Sequence, residues 1–145
     1  MADLSGIIEF DLDTTRGIDS MLFTGTPSKY PNVRHIWSHA GGAFAVLAPR
    51  EMDDYPKSRA DRVPNGVEYE IKKFYFDTAH AGNKATIDAL QDIVPVSQIL
   101  YGSDVPLREF PLTDGPLDNY PRFSEADWKA VNRGNSERLF PRLKS

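Results

Sequence analysis

The chain has 145 residues, 40% of them hydrophobic and 26% charged, which is the length and composition of one globular domain with its own core. The formal net charge is −4 and no basic run exceeds two residues, so the electrostatic footprint of nucleic-acid binding is absent. The sequence has no cysteine, no apolar run near the roughly 18 residues of a membrane span, and no N-terminal signal-peptide pattern. We therefore expect a single cytoplasmic domain over residues 1–145, without a nucleic-acid or membrane partner.

Helical and strand patterns alternate along the chain after an expected entry loop at residues 1–13. Apolar spacing and turn residues predict helices over 14–26, 41–48, 67–72 and 83–93, and a two-part helix after residue 124. Short apolar runs predict strands over 33–38, 73–78 and 98–102, and a fourth strand is open at 7–10. Strands joined by helices predict an α/β fold with a parallel sheet.

The connections carry their own signals. The proline-rich tracts 49–66 and 105–123 are expected to be loops, the second of the kind that shapes active sites. Ser124 with Asp127 three residues later is a variant of the capping box, which predicts the start of the last helix. Gly134-Asn135 is expected to break that helix into two pieces.

Two predicted strands end in a side chain that can carry chemistry. The run Ile99-Leu100-Tyr101-Gly102-Ser103-Asp104-Val105-Pro106 places Asp104 just past its strand, and His39 ends another strand before two glycines. Because α/β proteins place their active sites where the carboxyl ends of parallel strands meet, we expect His39 and Asp104 to face one site. An imidazole beside a carboxylate suits a divalent cation such as zinc or manganese.

Plainer roles stay open for both residues, and other candidates are weaker. His39 can be an inert, hydrogen-bonded imidazole at its strand end, and Asp104 can cap a turn. His80 follows a predicted strand and is a further candidate metal ligand in the same cleft. Asp77 is expected to be structural, bonding to backbone, and His35 to be packed in the core or to lie at the surface.

Further segments occur in a fixed order around these residues. They are Asp13-Thr14-Thr15-Arg16, Leu22-Phe23-Thr24-Gly25-Thr26, Ser38-His39-Ala40-Gly41-Gly42, Phe74-Tyr75-Phe76-Asp77-Thr78-Ala79, the run that ends at Pro106, and Gly134-Asn135 with Leu139-Phe140-Pro141. In this order they resemble the amidohydrolase-related family, which includes the aminocarboxymuconate-semialdehyde decarboxylase-like enzymes. The most specific matches are the Gly-Ser-Asp-x-Pro run and the His-x-Gly-Gly run.

The resemblance implies a metal-dependent (β/α)₈ (TIM) barrel of hydrolases and non-oxidative decarboxylases, of which this chain matches the C-terminal half. It implies that His39 is the strand-6 histidine that orients or activates the metal-bound water or substrate. It implies that Asp104 is the strand-8 aspartate that binds metal and transfers a proton, whereas His80 matches no known role. The first-strand His-x-His pair and the strand-5 histidine of the family have no counterpart here, which leaves one or two of its four metal ligands.

Three hypotheses about function follow. The chain is a fragment or truncated form of a metal-dependent hydrolase or decarboxylase that acts on a small carboxylate, with zinc or manganese as cofactor in the full-length context. Alternatively, it is a non-catalytic half-barrel that forms a homo-oligomer or pairs with a missing N-terminal half, because open sheet edges invite pairing. The third hypothesis is a small α/β binding module without a metal. Whether the chain is an enzyme alone stays open.

Overall fold

A computed structural model describes residues 5–107 and 120–144, and it contains one parallel sheet. The strands are β1 (Ile36–Trp37), β2 (Tyr75–Asp77) and β3 (Ile99–Leu100), in the spatial order β1-β2-β3. The α-helices are α1 (Phe10–Thr24), α2 (Thr26–Lys29), α3 (Phe44–Asp54), α4 (Val67–Ile71), α5 (Lys84–Ile93), α6 (Glu125–Lys129) and α7 (Asn135–Leu139). Helices connect each strand to the next, which confirms the predicted parallel β/α order. Within the two described ranges, no helix has the length and apolar character that a membrane crossing demands.

The main core lies between the sheet and the helices on one of its faces. Fully buried apolar side chains come from the strands and from α1, α3 and α5: Ile18, Leu22, Phe44, Phe74, Phe76, Ile87, Leu90 and Ile99. The rings of Phe44 and Phe76 stack with their centres 6.5 Å apart, which ties α3 to the central strand. Because side chains alternate along a strand, Ile36 points to the opposite face, where it is 40% exposed at the edge of the sheet.

The N-terminal segment is helical from Ser5 onward, so the entry loop predicted at 1–13 is wrong over residues 5–13, and so is the strand at 7–10. Ser5–Glu9 form a π-helical turn that runs directly into α1. Asp13 and Thr14 lie inside α1 and do not cap it, and Asp13 pairs with Arg16 at 2.8 Å one turn further on. The pattern Ile18, Met21 and Leu22 nevertheless marks the correct helix, since the buried face of α1 includes two of these residues.

Helix α3 extends further than predicted. It continues through Pro49 to Asp54, and Lys57–Arg62 form 3₁₀ turns, so much of the expected loop at 49–66 is helical. Ala45 and Ala48 bury this helix against the core, and such packing outweighs the hydrogen bond that Pro49 cannot donate. The loop predicted at 105–123 falls largely on residues 108–119, which lie outside the described residues.

The C-terminal helix begins as predicted but does not break. Ser124 and Asp127 form the reciprocal capping box at the start of α6. A π-helical turn, Ala130–Gly134, then carries the chain into α7 with helical dihedrals at Asn135 (φ −67°, ψ −43°). The predicted break is thus a widened turn, a known alternative to a kink where a helix must realign a side chain.

The realigned side chain of Asn135 binds the third strand. Asn135 is fully buried, and its Nδ2 donates to the carbonyl oxygens of Val96 (2.8 Å) and Ile99 (2.7 Å). The backbone N–H of Tyr101 also donates to the carbonyl of Val131, at 3.1 Å. The C-terminal helix therefore covers the outer edge of β3, while β1 forms the other edge of the sheet.

Candidate functional site

His39 and Asp104 come together at the carboxyl ends of the strands, as the sequence predicts. His39 follows β1, Asp104 follows β3, and Nε2 of His39 lies 3.9 Å from Oδ1 of Asp104. The His39 side chain is 28% exposed and that of Asp104 is 12% exposed, so both are sheltered yet reachable. The arrangement can exchange a proton between imidazole and carboxylate after a small movement, or direct both groups at a molecule bound between the strand ends.

The backbone at this edge of the sheet is strained. His39 (φ 53°), Ala40 (φ 55°), His80 (φ 50°) and Asp104 (φ 59°) are the non-glycine residues with left-handed dihedrals in the described part of the chain. Such dihedrals cost roughly 1–3 kcal/mol each, and strained residues of this kind cluster at functional sites. All four follow strand ends, which supports the placement of a site there.

Asp77 connects the ends of β1 and β2. Its Oδ1 accepts hydrogen bonds from the backbone N–H groups of His39 and Ala79, both at 3.0 Å. Burial raises the pKa of Asp77, and these two N–H donors act in the opposite direction because they stabilise the charged carboxylate. The bonding of Asp77 to backbone agrees with its expected structural role, but sequence reasoning missed that one of the donors is His39 itself.

Thr78 connects the ends of β2 and β3. Its hydroxyl oxygen accepts the backbone N–H of Gly102 at 3.1 Å and lies 3.4 Å from the Gly102 carbonyl oxygen. A Cβ on Gly102 would lie 2.9 Å from the nitrogen of Ala79 and 3.1 Å from Cγ of Asp77, so only glycine fits this close approach. Gly102 was the sequence signal for the end of this strand. Its close contact with Ala79 and Asp77, which requires a glycine, could not be predicted from the sequence.

The other histidines lie apart from this pair. His80 is exposed, and no hydrogen bond or ion pair among the described residues links it to His39 or Asp104. His35 packs between Trp37 and Phe74, with ring centres 6.5 and 5.8 Å away, and burial lowers its pKa. The role of His80 as a metal ligand therefore stays a prediction, and His35 occupies the packed position expected for it.

The residues described here do not by themselves fit a catalytic metal. No group of three or more His, Asp or Glu residues in ranges 5–107 and 120–144 could hold a metal ion. His39 and Asp104 offer two donors of suitable chemistry, whereas catalytic sites use about three protein ligands. A surface concavity of about 460 Å³ beside α4 is separate from this pair, since its lining includes neither His39 nor Asp104.

The sequence of the chain is similar to those of known proteins. A family model described as amidohydrolase matches residues 8–142, which is nearly the whole chain. The chain belongs to the amidohydrolase family. Two curated relatives in this comparison are decarboxylases, and the resemblance inferred from the His-x-Gly-Gly and Gly-Ser-Asp-x-Pro segments is confirmed.

These relatives are considerably longer than this chain. Decarboxylase macB of Penicillium terrestre is 30% identical over 146 residues, which cover 95% of this chain and 43% of that protein. The 6-methylsalicylic acid decarboxylase of Penicillium expansum is also 30% identical, covering 95% of this chain and 44% of the relative. The chain thus spans less than half of the length of the curated relatives that it matches.

Solved structures confirm the fold class. A 2,6-dihydroxybenzoate decarboxylase from Rhizobium superposes with a TM-score of 0.80 at 18% identity, covering 92% of this chain and 42% of that one. A dihydroxybenzoic acid decarboxylase from Polaromonas with bound manganese superposes with a TM-score of 0.71 at 20% identity, covering 93% and 40%. The β/α units described here therefore form part of a (β/α)₈ barrel.

Proposed function

We propose that this chain is the C-terminal part of a metal-dependent barrel enzyme that removes CO₂ from a small aromatic carboxylate. The observation that carries the proposal is the approach of His39 to Asp104 at the carboxyl ends of two strands, in a chain whose curated relatives are decarboxylases. Decarboxylation is favoured over hydrolysis because both of these relatives are decarboxylases. The composition favours a cytoplasmic location for the enzyme.

His39 and Asp104 would act as the acid/base pair. When the carbon–carbon bond to a carboxylate breaks, CO₂ leaves and the carbon that carried it needs a proton. An imidazolium 3.9 Å from a carboxylate that stabilises its charge can deliver that proton, and a proton taken up from solvent then restores it for the next turnover. Both side chains are sheltered by the strand ends, which favours transfer to a bound substrate over exchange with bulk water.

The proposal requires further protein to complete the site. Two donors do not make a catalytic metal site, so we infer that the remaining ligands for zinc or manganese come from strands outside the residues that the structure describes. Three strands are present in the described residues, whereas a (β/α)₈ barrel closes with eight. We infer that the missing strands precede β1 in the chain, because the segments that resemble the family are those of its C-terminal half.

A second copy of the chain is a poorer candidate for this partner. Two copies would bring six strands from the residues that the structure describes, two fewer than a closed barrel of this type uses. A homodimer, or a metal-free binding module, is therefore the alternative that the experiment must distinguish.

The test is a chimera that restores the missing strands. The upstream portion of the Penicillium expansum relative, up to the point where the match begins, is joined to residue 5 of this chain. We expect the chimera to bind one manganese or zinc ion and release CO₂ from 6-methylsalicylate or a related hydroxybenzoate, while the chain alone does neither. Asp104→Asn keeps a residue that tolerates left-handed dihedrals, so it should keep the fold and lose both metal affinity and turnover.

Three outcomes would count against the proposal. A folded, metal-loaded chimera that acts on none of these acids would exclude decarboxylation of this substrate class. A chain that alone forms a stable dimer of twice 16.3 kDa with bound metal would favour the self-assembling half-barrel. A metal-free monomer with a specific small-molecule ligand would favour the binding module.

A further inference from the structure

The geometry points to Asp77 and Thr78, at the end of the central strand, as a positioning pair that sets the approach of His39 to Asp104. This inference rests on the proposed function, because it assigns the pair a role only if His39 and Asp104 act together. Neither residue is proposed to touch a substrate. Both act through the backbone of the strand ends on either side of β2.

Asp77 holds the His39 side. Strand β1 ends at Trp37, and the chain then enters two consecutive left-handed residues, His39 and Ala40. A backbone with such dihedrals needs a compensating interaction to persist. The carboxylate of Asp77 supplies one, because it accepts the N–H of His39 at 3.0 Å while a second bond to Ala79 fixes its own orientation.

Thr78 holds the Asp104 side. Its hydroxyl bonds to the N–H of Gly102, and its own backbone N–H donates to the carbonyl of Leu100 at 3.0 Å. Thr78 is fully buried, so water does not compete for these groups. Asp104 lies two residues after Gly102, and its position relative to β2 therefore depends on this attachment.

The hydrogen bonds of Asp77 and Thr78 to the two neighbouring strand ends are coupled, because the two residues are adjacent in the chain. A Cβ added to Gly102 would lie 3.1 Å from Cγ of Asp77, so the glycine lets the ends of β2 and β3 lie close together. A shift of either attachment therefore changes the distance between imidazole and carboxylate directly. A general fold-stabilising role would not require the two neighbours to bond to the two strand ends that carry the acting residues.

The experiment measures the geometry itself on the complete chain. A nuclear Overhauser effect between the ring protons of His39 and the β protons of Asp104 reports their approach, which 3.9 Å between Nε2 and Oδ1 brings within range. We expect this signal in the wild type and in Asp77→Asn and Thr78→Ser, which keep an acceptor oxygen. We expect its loss in Asp77→Ala and Thr78→Val, which do not.

A matched control comes from the other end of the fold. Asp127 also accepts a backbone N–H, that of Ser124 at 2.9 Å, so Asp127→Ala removes the same kind of bond away from the site. It should leave the signal between His39 and Asp104 unchanged. Persistence of the signal in the folded Asp77→Ala and Thr78→Val variants, or its loss in folded Asp77→Asn, would overturn the inference.

A substitution after β3 keeps the inference testable if Asp77→Ala or Thr78→Val does not fold. Gly102→Ala retains the carboxylate and hydroxyl but presses on Asp77, and it should weaken the signal. An unchanged signal in that variant would overturn the inference as well. Because no metal or substrate is present, failure of the chimera to release CO₂ leaves this result intact, and the two proposals fail separately.

Discussion

Asn135→Ala tests whether the C-terminal helix holds the third strand through a single side chain. The substitution leaves two carbonyls, those of Val96 and Ile99, without the donor they have at 2.8 and 2.7 Å. An unpaired buried polar group costs about 1–3 kcal/mol, and since Val96 is only partly enclosed, we expect a loss of about 3 kcal/mol. For a chain of this size that corresponds to a fall in melting temperature of roughly 6–12 °C.

Asn132→Ala is the matched control, since Asn132 is exposed on the same helical segment. It should change the free energy of unfolding by less than about 0.5 kcal/mol. Urea unfolding followed by the fluorescence of the two tryptophans gives both values, and an unchanged denaturant slope would show that the variant changes stability without changing the surface exposed on unfolding. Equal stabilities for the two variants would refute the account of Asn135 as the attachment of β3.

Three further perturbations test other parts of the fold. Gly102→Ala should cost about 1–3 kcal/mol of unfolding free energy through the clash with the end of β2, whereas Gly6→Ala, with nothing within 4 Å and in a helical turn, should cost no stability in the same melts and can add up to about 1 kcal/mol. Burial raises the pKa of Asp19 above 3.8, so the folded state holds this proton more tightly and loses stability as pH rises through that raised value. Asp19→Asn should therefore raise the melting temperature more at pH 7 than at pH 3, and the reverse trend would contradict this sign. Tyr120→Phe removes the hydroxyl bond to Asp88 at 2.6 Å, and we expect a loss of about 1 kcal/mol in urea unfolding; no loss would mean that solvent replaces the bond.

Local sequence signals predicted those elements whose ends and faces are determined by neighbouring residues. Helix α5 has Asn83 as its N-cap and buries Ile87 and Leu90, which is why its predicted span of 83–93 differs from the observed one by a single residue. The capping box at Ser124 likewise depends on residues three apart. Elements with this local specification are predictable without knowledge of the fold.

Elements whose limits depend on distant packing were predicted less well. Helix α3 passes through Pro49 because Ala45 and Ala48 face the core, and no local signal reports that core. The helical state of Ser5–Glu9 and the π-helical turn before Asn135 were missed for a related reason. The π-helical turn is explained by the bond from Asn135 to Ile99, 36 positions away in the chain.

The candidate site also combines features that the sequence predicts with features that depend on tertiary contacts. The pairing of His39 with Asp104 followed from a topological rule, since parallel strands bring their carboxyl ends together wherever the strands occur in the sequence. The bond from Asp77 to the His39 N–H did not, because it depends on a left-handed backbone at His39 that an L-residue adopts only under tertiary constraint. Sequence analysis thus predicted which side chains meet but not what holds them.

The hydrogen bonds that position His39 and Asp104 all lie within this chain. The geometry of this pair and the binding of a metal are therefore separate properties of the proposed enzyme. The His39–Asp104 approach depends on Asp77, Thr78 and Gly102, which lie at the ends of β2 and β3 and require no upstream strand. Metal binding depends on ligands that the described residues do not provide. Addition of the upstream strands should therefore change metal affinity and activity while leaving the geometry of the pair largely as it is, because its supporting bonds are already made.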